Sequence, residues 1–535
     1  MTGRPGTDDV LLGLDVGTSA VKAGLYTPDG VQLGLRRVAL AVRSPHPGHS
    51  EVDAEDVWAA VVAATRALLH DVPGVAVAGV GVAAACPTPL VADPDGRLLS
   101  AVCTFADARA ADDVDALRTR LPEGAFERMT GNPVAVSTCS ALTARRLAAA
   151  TGGPAVLGHL ASFVVHRLTG CWVMDPTNAA YTGALDVSSP ERWSAEGAAV
   201  LGLERLRLPE LVPSAQRVGA VTDEARHVLG LPAATSVAAG CADTAASALA
   251  VGCVDDGDAF ESVGTSGVLT VCRDRPLPAA HAMSRPHVIP GRWLSHAAMS
   301  SSGASVSWLR EHVLAQAPGA SSMAALGELA ASAPPGSGGL VFLPYLAGER
   351  SPVWDPHARG VWFGMTLGTG PADLARSVFE GSAYGLRQLI ELEGRVSGNP
   401  LPELVSVGGG TSSAFWTAVK ADVTGRVFLR ARQGDVAARG AALLAATAAG
   451  LHPGPAAAAR AAVPVATTRV EPTADAQTSA VYERLYHVYE HLYPALQPYL
   501  APLAGAARLA AGRGAGPRTT DRTHPRRDPS CVGSA

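Results

Sequence analysis

The tetrapeptide Val-Gly-Thr-Ser occurs twice in this chain, at residues 16–19 and again at residues 263–266. An internal repeat constrains architecture directly, because each copy is expected to fold into an equivalent local structure. The two copies lie about half a chain apart, so the repeat predicts two related lobes that each present one Gly-Thr-Ser turn. Amides and hydroxyls in such turns can donate hydrogen bonds to phosphate oxygens, and we therefore expect a nucleotide to bind between the lobes.

The length and composition are those of a multidomain globular protein. At 535 residues the chain exceeds one ordinary domain, and a hydrophobic content of 47% is enough to form buried cores. No segment approaches the roughly 20 consecutive apolar residues of a membrane helix. Residues 1–10 are polar and lack the regions of a signal peptide. We therefore expect a cytoplasmic protein with no membrane partner.

Cysteine spacing and charge argue against several classes of function. The eight cysteines include no Cys-x-x-Cys pair, so neither a zinc site nor a disulfide framework is indicated. The net charge of -5 argues against nucleic acid as a partner. The chain has no Gly-Lys pair, which excludes the P-loop motif. The two Gly-Thr-Ser turns would then hold the nucleotide, with Lys22 as a nearby positive charge.

The N-terminal segment has the pattern of an α/β layer fold. A strand at Leu11–Asp15 leads through the first turn into further strands. Asp53 is placed to cap the helix that follows, and Val75–Val82 is a buried strand. Gly79 and Gly81 loosely match a dinucleotide fingerprint, but they lie inside this strand, which indicates close backbone packing instead.

The rest of the chain continues the mixed pattern. Helices are predicted at residues 145–157, 160–168, 305–314 and 373–392, and strands at residues 342–346 and 404–407. The glycines of the turn at residues 408–412 allow the backbone to approach a ligand closely. From residue 506 onward Ala, Gly, Arg and Pro dominate, which predicts a disordered tail over residues 506–535.

Asp243 is the candidate catalytic base. It lies between small residues, immediately before an alanine-rich helical run. Phosphoryl transfer requires alignment of the reactants, neutralisation of charge by a metal, and a group that accepts the proton of the attacking hydroxyl. A carboxylate close to the phosphate site can accept that proton, and Asp15 suits a magnesium contact made through water. The alternative is that Asp243 only caps its helix.

Asp107 and Arg109 form a second candidate pair. They end a predicted strand and lie two residues apart, so both side chains face the same side. On spacing alone, a substrate contact and a surface ion pair are equally good interpretations.

Together these motifs resemble the FGGY family of carbohydrate kinases over about residues 11–450. Residues 15–22 are similar to the first phosphate motif of the family, residues 240–252 to the segment that holds its catalytic aspartate, and residues 264–267 to its second phosphate motif. The segment from Tyr345 to Pro352, with Arg359, Gly360 and Gly364, is similar to the family signature. Residues 408–413 with 421–423 resemble the adenosine-binding segment.

The resemblance implies an α/β fold of two ribonuclease-H-like lobes, of the actin, Hsp70 and hexokinase type, with a cleft between them. Residues 1–250 would form a sugar-binding lobe and residues 251–505 an ATP-binding lobe. A small-molecule sugar would be the partner, and members of the family are often homodimers. Magnesium would lie at Asp15 and at the base, Asp243. The residues expected to bind ATP are Gly17, Thr18, Ser19, Lys22, Gly264, Thr265, Ser266, Gly409, Gly410, Thr411 and Ser412.

The sequence departs from the family where the sugar binds. Xylulose kinases usually carry Gln-Met-His-Gly and glycerol kinases Arg-Glu where this chain has Ala85-Cys86-Pro87-Thr88. We expect Cys86, Pro87, Asp107, Arg109 and Asp243 to contact the acceptor, which the small side chains nearby suggest is a ketose such as a pentulose, or a larger sugar alcohol. Asp435 replaces a usual glutamate, which leaves the role of that position open.

Two other classes of function remain as alternatives. The first is a nucleotide-binding or sugar-binding regulatory protein that keeps the fold without turnover, which the altered sugar segment permits. The second is an actin-like or chaperone-like ATPase with a protein partner, but the chain shows no additional substrate domain.

Overall fold

The computed structural model describes residues 9–317, 319–432 and 435–512. The first half of the chain contains fourteen strands and nine α-helices among these residues. The strands are β1 Asp9–Val16, β2 Ala20–Tyr26, β3 Gln32–Ala39, β4 Glu51–Val52, β5 Ala76–Ala84, β6 Leu90–Ala92, β7 Val102–Cys103, β8 Ala155–Gly158, β9 Val173–Met174, β10 Leu206–Arg207, β11 Glu210–Leu211, β12 Arg217–Ala220, β13 Ser236–Ala238 and β14 Cys241–Ala242. The helices are α1 Ala54–Asp71, α2 Ala111–Arg120, α3 Ala125–Thr130, α4 Ser140–Ala149, α5 Leu160–Thr169, α6 Pro176–Ala179, α7 Ala195–Leu201, α8 Asp223–Leu229 and α9 Asp243–Ala250.

The second half contributes further strands and helices to a second sheet and its covering layers. The strands are β15 Ala259–Val263, β16 Gly267–Arg273, β17 Met283–Pro286, β18 Trp293–Met299, β19 Val341–Leu343, β20 Val361–Phe363, β21 Glu403–Val407, β22 Val427–Ala431 and β23 Thr467–Val470. The helices are α10 Gly303–Trp308, α11 Met323–Ala331, α12 Pro371–Ser397, α13 Ala414–Thr424, α14 Ala437–Ala448, α15 Pro455–Ala461 and α16 Ala476–Gly512.

The two large sheets share a strand order. In the first, β1 pairs antiparallel with β2 and parallel with β5, within the order β12-β13-β5-β1-β2-β3. In the second, β15 pairs antiparallel with β16 and parallel with β21, within the order β17-β18-β16-β15-β21-β22-β23. Each copy of the repeat lies at the hairpin that joins the antiparallel pair. The prediction of two related lobes is therefore confirmed.

Two helices cross between the lobes at close backbone distance. A methyl group added at Gly440 of α14 would lie 1.9 Å from the carbonyl oxygen of Ala246 in α9. The same helix packs on the first sheet, where a methyl group at Gly81 of β5 would lie 1.9 Å from the carbonyl oxygen of Ala441. Gly79 and Gly81 thus serve close packing, as their position inside a strand predicted.

Most predicted elements are present, but the helix predicted over residues 305–314 is α-helical only to Trp308 and continues as a π-helix to Val313, and the strand predicted over residues 342–346 ends at Leu343. Asp53 caps α1 as expected, since its carboxylate accepts the amide hydrogen of Glu55. The helix predicted over residues 145–157 is wrong at its C-terminal end: α4 ends at Ala149, and residues 155–158 form β8 because they pair with β6 and β10. Residues 506–512, predicted as tail, belong to α16, and residues 513–535 lie outside the described residues.

No helix within the described part of the chain combines the length and the apolar character needed to cross a membrane.

Candidate active site

The second lobe contains an open cavity of about 1140 Å³. Its walls are formed by the turn after β15, the loop after β21, and helices α10, α11 and α13. Five of the residues predicted to bind nucleotide line it, namely Gly264, Thr265, Gly409, Gly410 and Ser412. Thr411 is buried behind them and donates its hydroxyl hydrogen to the carbonyl oxygen of Gly408 at 2.7 Å. The structure therefore brings together two motifs that lie about 145 residues apart in the sequence.

The phosphate turn of the second lobe is joined to the family-like signature segment. Nη2 of Arg350 donates to Oγ of Ser266 at 3.0 Å and to the carbonyl oxygen of Met299 at 3.2 Å. Burial lowers the pKa of this guanidinium, although the carboxylate of Glu349 acts in the opposite direction. An arginine held at this turn is well placed to bind phosphate oxygens.

The first lobe presents its own turn, Gly17, Thr18 and Ser19, beside a group of charged residues. Nζ of Lys22 lies 3.0 Å from Oδ2 of Asp15 and also contacts Asp435, which precedes α14. Burial raises the pKa of Asp15, and Lys22 partly offsets this. The shorter acid at position 435 thus reaches the lysine of the first turn across the boundary between the two halves of the chain.

Asp243 is the first residue of α9 and is half-buried. Its Oδ1 accepts the amide hydrogen of Thr244 at 2.7 Å. The N-cap position of the helix is occupied by Ala242, so the alternative that Asp243 serves as the N-cap residue is wrong. Burial, reinforced by the negative charge of Asp15, raises the pKa of Asp243 to about 6. Such a carboxylate is ionised at neutral pH yet holds a proton better than an exposed aspartate.

The backbone before Asp243 is held by a buried carboxylate. Asp175 caps α6 and accepts the amide hydrogens of Thr177 and Asn178. Oγ1 of Thr177 in turn accepts the amide hydrogen of Ala242 at 2.8 Å. This chain of contacts fixes the start of α9, where Asp243 lies.

Cys86 lies on the same side of the first lobe as Asp243. Its thiol donates to Oδ1 of Asn178 at 2.6 Å and lies 3.7 Å from Nδ1 of His159. Burial, together with the negative charges of Asp243 and Asp175, raises the pKa of this thiol well above its ordinary value, so it remains neutral. Pro87 follows it and is buried.

Asp107 and Arg109 form an ion pair within the first lobe. Nε of Arg109 donates to Oδ1 of Asp107 at 2.8 Å, and the guanidinium also pairs with Glu51. Oδ2 of Asp107 accepts the amide hydrogen of Ser50 at 2.8 Å. Both side chains are largely buried, so the interpretation as a surface ion pair is wrong, while a role as acceptor contacts stays a prediction.

Three side chains outside the predicted set of site residues lie beside Thr244, the neighbour of Asp243. They are Tyr181 of the first lobe and Arg285 and His296 of the second, and together they line a small cleft with Thr244. The lobes touch beside them, where the amide of Ser284 donates to the carbonyl oxygen of Gly131 at 2.7 Å. The sequence around Arg285 and His296 contains no motif that indicates a site, because these strand residues come near α9 only through the approach of the two lobes.

Comparison with known proteins identifies the family. The model for the N-terminal domain of the FGGY family of carbohydrate kinases matches residues 10–250, and the model for its C-terminal domain matches residues 259–449. Xylulose kinase of Klebsiella pneumoniae is 33% identical and covers 81% of this chain and 89% of its own length. Gluconokinase of Bacillus subtilis is 24% identical, with coverages of 77% and 82%.

A solved structure agrees with these matches. The crystal structure of xylulose kinase from Rhodospirillum rubrum is similar with a TM-score of 0.83 and 29% identity, covering 92% of this chain and 100% of that one. The predicted fold class, an α/β protein of two sheet-containing lobes, is thereby confirmed.

Proposed function

The chain belongs to the FGGY family of carbohydrate kinases and is a sugar kinase. From that premise we propose that it transfers the γ-phosphate of ATP to a sugar hydroxyl, with Asp243 as the general base. The observation that carries this proposal is the position of Asp243, a half-buried aspartate at the first residue of α9 whose charge interacts with that of Asp15 at the first phosphate turn. The acceptor class expected from the sequence is a ketose such as a pentulose, or a sugar alcohol.

The residues suit the binding of ATP across the cleft. The cavity of the second lobe, at about 1140 Å³, has room for a nucleoside. Gly264 and Gly409 keep part of this space clear, because neither has a side chain to fill it. The two Gly-Thr-Ser turns and Arg350 offer amides, hydroxyls and a guanidinium to the phosphates.

The donor set at the first turn fits magnesium. Asp15 and Asp243 are carboxylates whose charges act on one another, and Mg²⁺ commonly takes one or two carboxylates together with phosphate oxygens and water. When bound, the ion would neutralise charge on the transferring phosphate. Lys22 keeps Asp15 oriented through the 3.0 Å ion pair.

Asp243 then performs the proton step. The acceptor hydroxyl gives its proton to the carboxylate of Asp243 as the hydroxyl oxygen attacks the γ-phosphorus. The bond between that phosphorus and the β–γ bridging oxygen breaks, and ADP is the leaving group. Burial of Asp243 raises its pKa toward neutral pH, where a carboxylate is more effective as a general base.

A panel assay tests the proposal. Purified protein with ATP and magnesium is mixed with ketoses, aldoses, sugar alcohols and sugar acids, and ADP release is followed. Stimulation by one acceptor supports the kinase; nucleotide binding without stimulated release by any acceptor favours the regulatory alternative, which the comparisons do not favour.

The pH dependence follows from the environment of Asp243. Only the ionised carboxylate accepts a proton, so kcat/KM should rise with pH through about 6 and be roughly tenfold lower at about pH 5 than at about pH 7. The measurement is a pH series at low acceptor concentration, with circular dichroism at each pH to verify folding. The same series with Asp243→Asn should lose this inflection, and an inflection that persists unchanged in the variant would contradict the assignment.

Gly409 tests the nucleotide cavity. A Cβ atom added there would have no protein atom within 4 Å, so Gly409→Val should leave the melting temperature unchanged while it occupies space meant for the nucleotide. We expect the Kd for ATP to rise roughly 10-fold to 100-fold, or about 1.4–2.8 kcal/mol. Gly153→Val is the matched control, because Gly153 is exposed and equally open. Equal ATP affinity in both variants would place the nucleotide elsewhere.

A further inference from the structure

One face of α16 carries two histidines and a glutamate side by side. His487, Glu490 and His491 occupy helix positions i, i+3 and i+4, which lie on the same face of a helix. One ligand atom from each side chain lies within 4.8 Å of the other two. Among the residues that the structure describes, no other three histidine, cysteine or carboxylate side chains converge in this way. Helix α16 begins at Ala476, so the cluster lies beyond residue 449, where the match to the family ends.

The two imidazoles share the glutamate. Nδ1 of His487 lies 3.4 Å from Oε1 of Glu490, and Nδ1 of His491 lies 3.5 Å from the same oxygen. The centroids of the two rings are 4.5 Å apart. The histidine side chains are 74% and 66% exposed, so an ion in the solvent can reach both of them without any movement of the backbone.

The backbone already orients one of the imidazoles. Nδ1 of His491 lies 2.8 Å from the carbonyl oxygen of His487. A carbonyl oxygen only accepts, so in the neutral ring this bond places the hydrogen on Nδ1 and leaves the lone pair on Nε2. Histidines that ligate metals commonly donate their other ring N–H to a backbone carbonyl. His491 is therefore held in the tautomer that a metal ligand needs.

We propose that His487, Glu490 and His491 bind one Zn²⁺ ion. Two imidazoles and one carboxylate are a donor set that zinc takes in proteins, with a further position left to water. Mg²⁺ prefers oxygen ligands, so this site and the carboxylates of Asp15 and Asp243 suit different ions. Because none of the ligands is a thiolate, cysteine spacing does not indicate the site. The inference does not depend on the proposed function.

The ion would restrain a turn that the sequence weakens. Pro494 lies inside α16 and has no amide hydrogen, so the carbonyl oxygen of Glu490 loses its helical donor. An ion held by residues 487–491 closes the turn immediately before this gap. The hydroxyl of Tyr493, in the next part of the helix, donates to Oδ2 of Asp355 at 3.0 Å. Zinc should therefore stabilise the packing of α16 on the loop that contains Asp355.

A zinc titration tests the site. Calorimetry follows the binding of ZnCl₂ to the full chain without a histidine tag, in excess Mg²⁺ and without nucleotide or acceptor. We expect wild type to bind one ion per chain at this site. Even the loss of a residue that only supports a ligand weakens metal binding about 10-fold to 100-fold, so His487→Gln and His491→Gln should each raise the Kd at least about tenfold.

His70→Gln is the matched control. His70 is 90% exposed and has one carboxylate beside it, that of Asp71 at 3.7 Å, but it belongs to no three-ligand cluster within the described residues. This variant should bind zinc like wild type. Equal zinc affinity in wild type, His487→Gln and His491→Gln would overturn the proposal, as would the absence of binding to wild type.

Two further measurements identify the ligands and the effect on the fold. Bound Co²⁺ should show d–d absorption without a thiolate charge-transfer band, since such a band would assign the ion to a cysteine and overturn the proposal. Saturating Zn²⁺ should raise the melting temperature of wild type but not that of the variant with both His487→Gln and His491→Gln. An equal shift in both proteins, or none in wild type, would contradict a zinc site that stabilises α16. Neither measurement uses ATP or an acceptor, so failure of the kinase assay leaves its result unchanged.

Discussion

Asp243→Asn is expected to lower the kcat of acceptor-stimulated ADP release by about 10²-fold to 10⁴-fold, the range that a general base contributes. The amide has nearly the same shape as the carboxylate and can still accept the amide hydrogen of Thr244 through its oxygen, so α9 keeps its first turn. What is lost is the group that accepts the proton of the attacking hydroxyl. The effect should appear in kcat, measured at saturating acceptor.

The control for this variant is Asp223→Asn, because the side chain of Asp223 is 88% exposed and lies in the first turn of α8. Its kcat should equal that of wild type. The Kd for ATP measured without magnesium should be similar in all three proteins, since the cavity of the second lobe is unchanged. If Asp243→Asn retains more than about a tenth of the wild-type kcat, another group is the base.

Gly81→Ala is expected to lower the free energy of unfolding by about 3 kcal/mol. The added methyl group would lie 1.9 Å from the carbonyl oxygen of Ala441, which is far inside contact distance and belongs to backbone that cannot rotate away. Helix α14 would have to move off the first sheet. Because α14 also crosses α9, the movement should disturb the helix that begins at Asp243.

Chemical denaturation followed by circular dichroism measures this loss. Gly153→Ala adds the same methyl group at an exposed site with no atom within 4 Å and should unfold like wild type. Unfolding of Gly81→Ala at the same denaturant concentration as wild type would contradict the close packing of α14 on β5.

The repeat and the glycines were informative in the sequence for a physical reason. Each Gly-Thr-Ser copy lies in a local hairpin, so neighbouring residues determine it, and both hairpins are found at the equivalent place in the two sheets. Gly79 and Gly81 inside a strand permit close approach of another backbone, which is what α14 makes. The two turns and the strand glycines could therefore be predicted from local sequence pattern alone.

Other features depend on contacts that no local pattern contains. The end of α4 at Ala149 is decided by the pairing of β8 with β6 and β10, although Gly152-Gly153-Pro154 already signals a break that our helix prediction passed over. The spacing of Asp107 and Arg109 indicated an ion pair but not its burial beside Glu51. Arg285 meets Tyr181 only because the lobes approach one another.

The most direct test of the account is to follow the γ-phosphate itself. The protein is incubated with magnesium, ATP labelled with ¹⁸O in the γ-phosphate and the acceptor panel, and the products are identified by mass spectrometry. We expect one labelled phosphate ester of an acceptor for each ADP formed, and loss of that product in Asp243→Asn. Label recovered only in inorganic phosphate, at a rate that no acceptor changes, would contradict it.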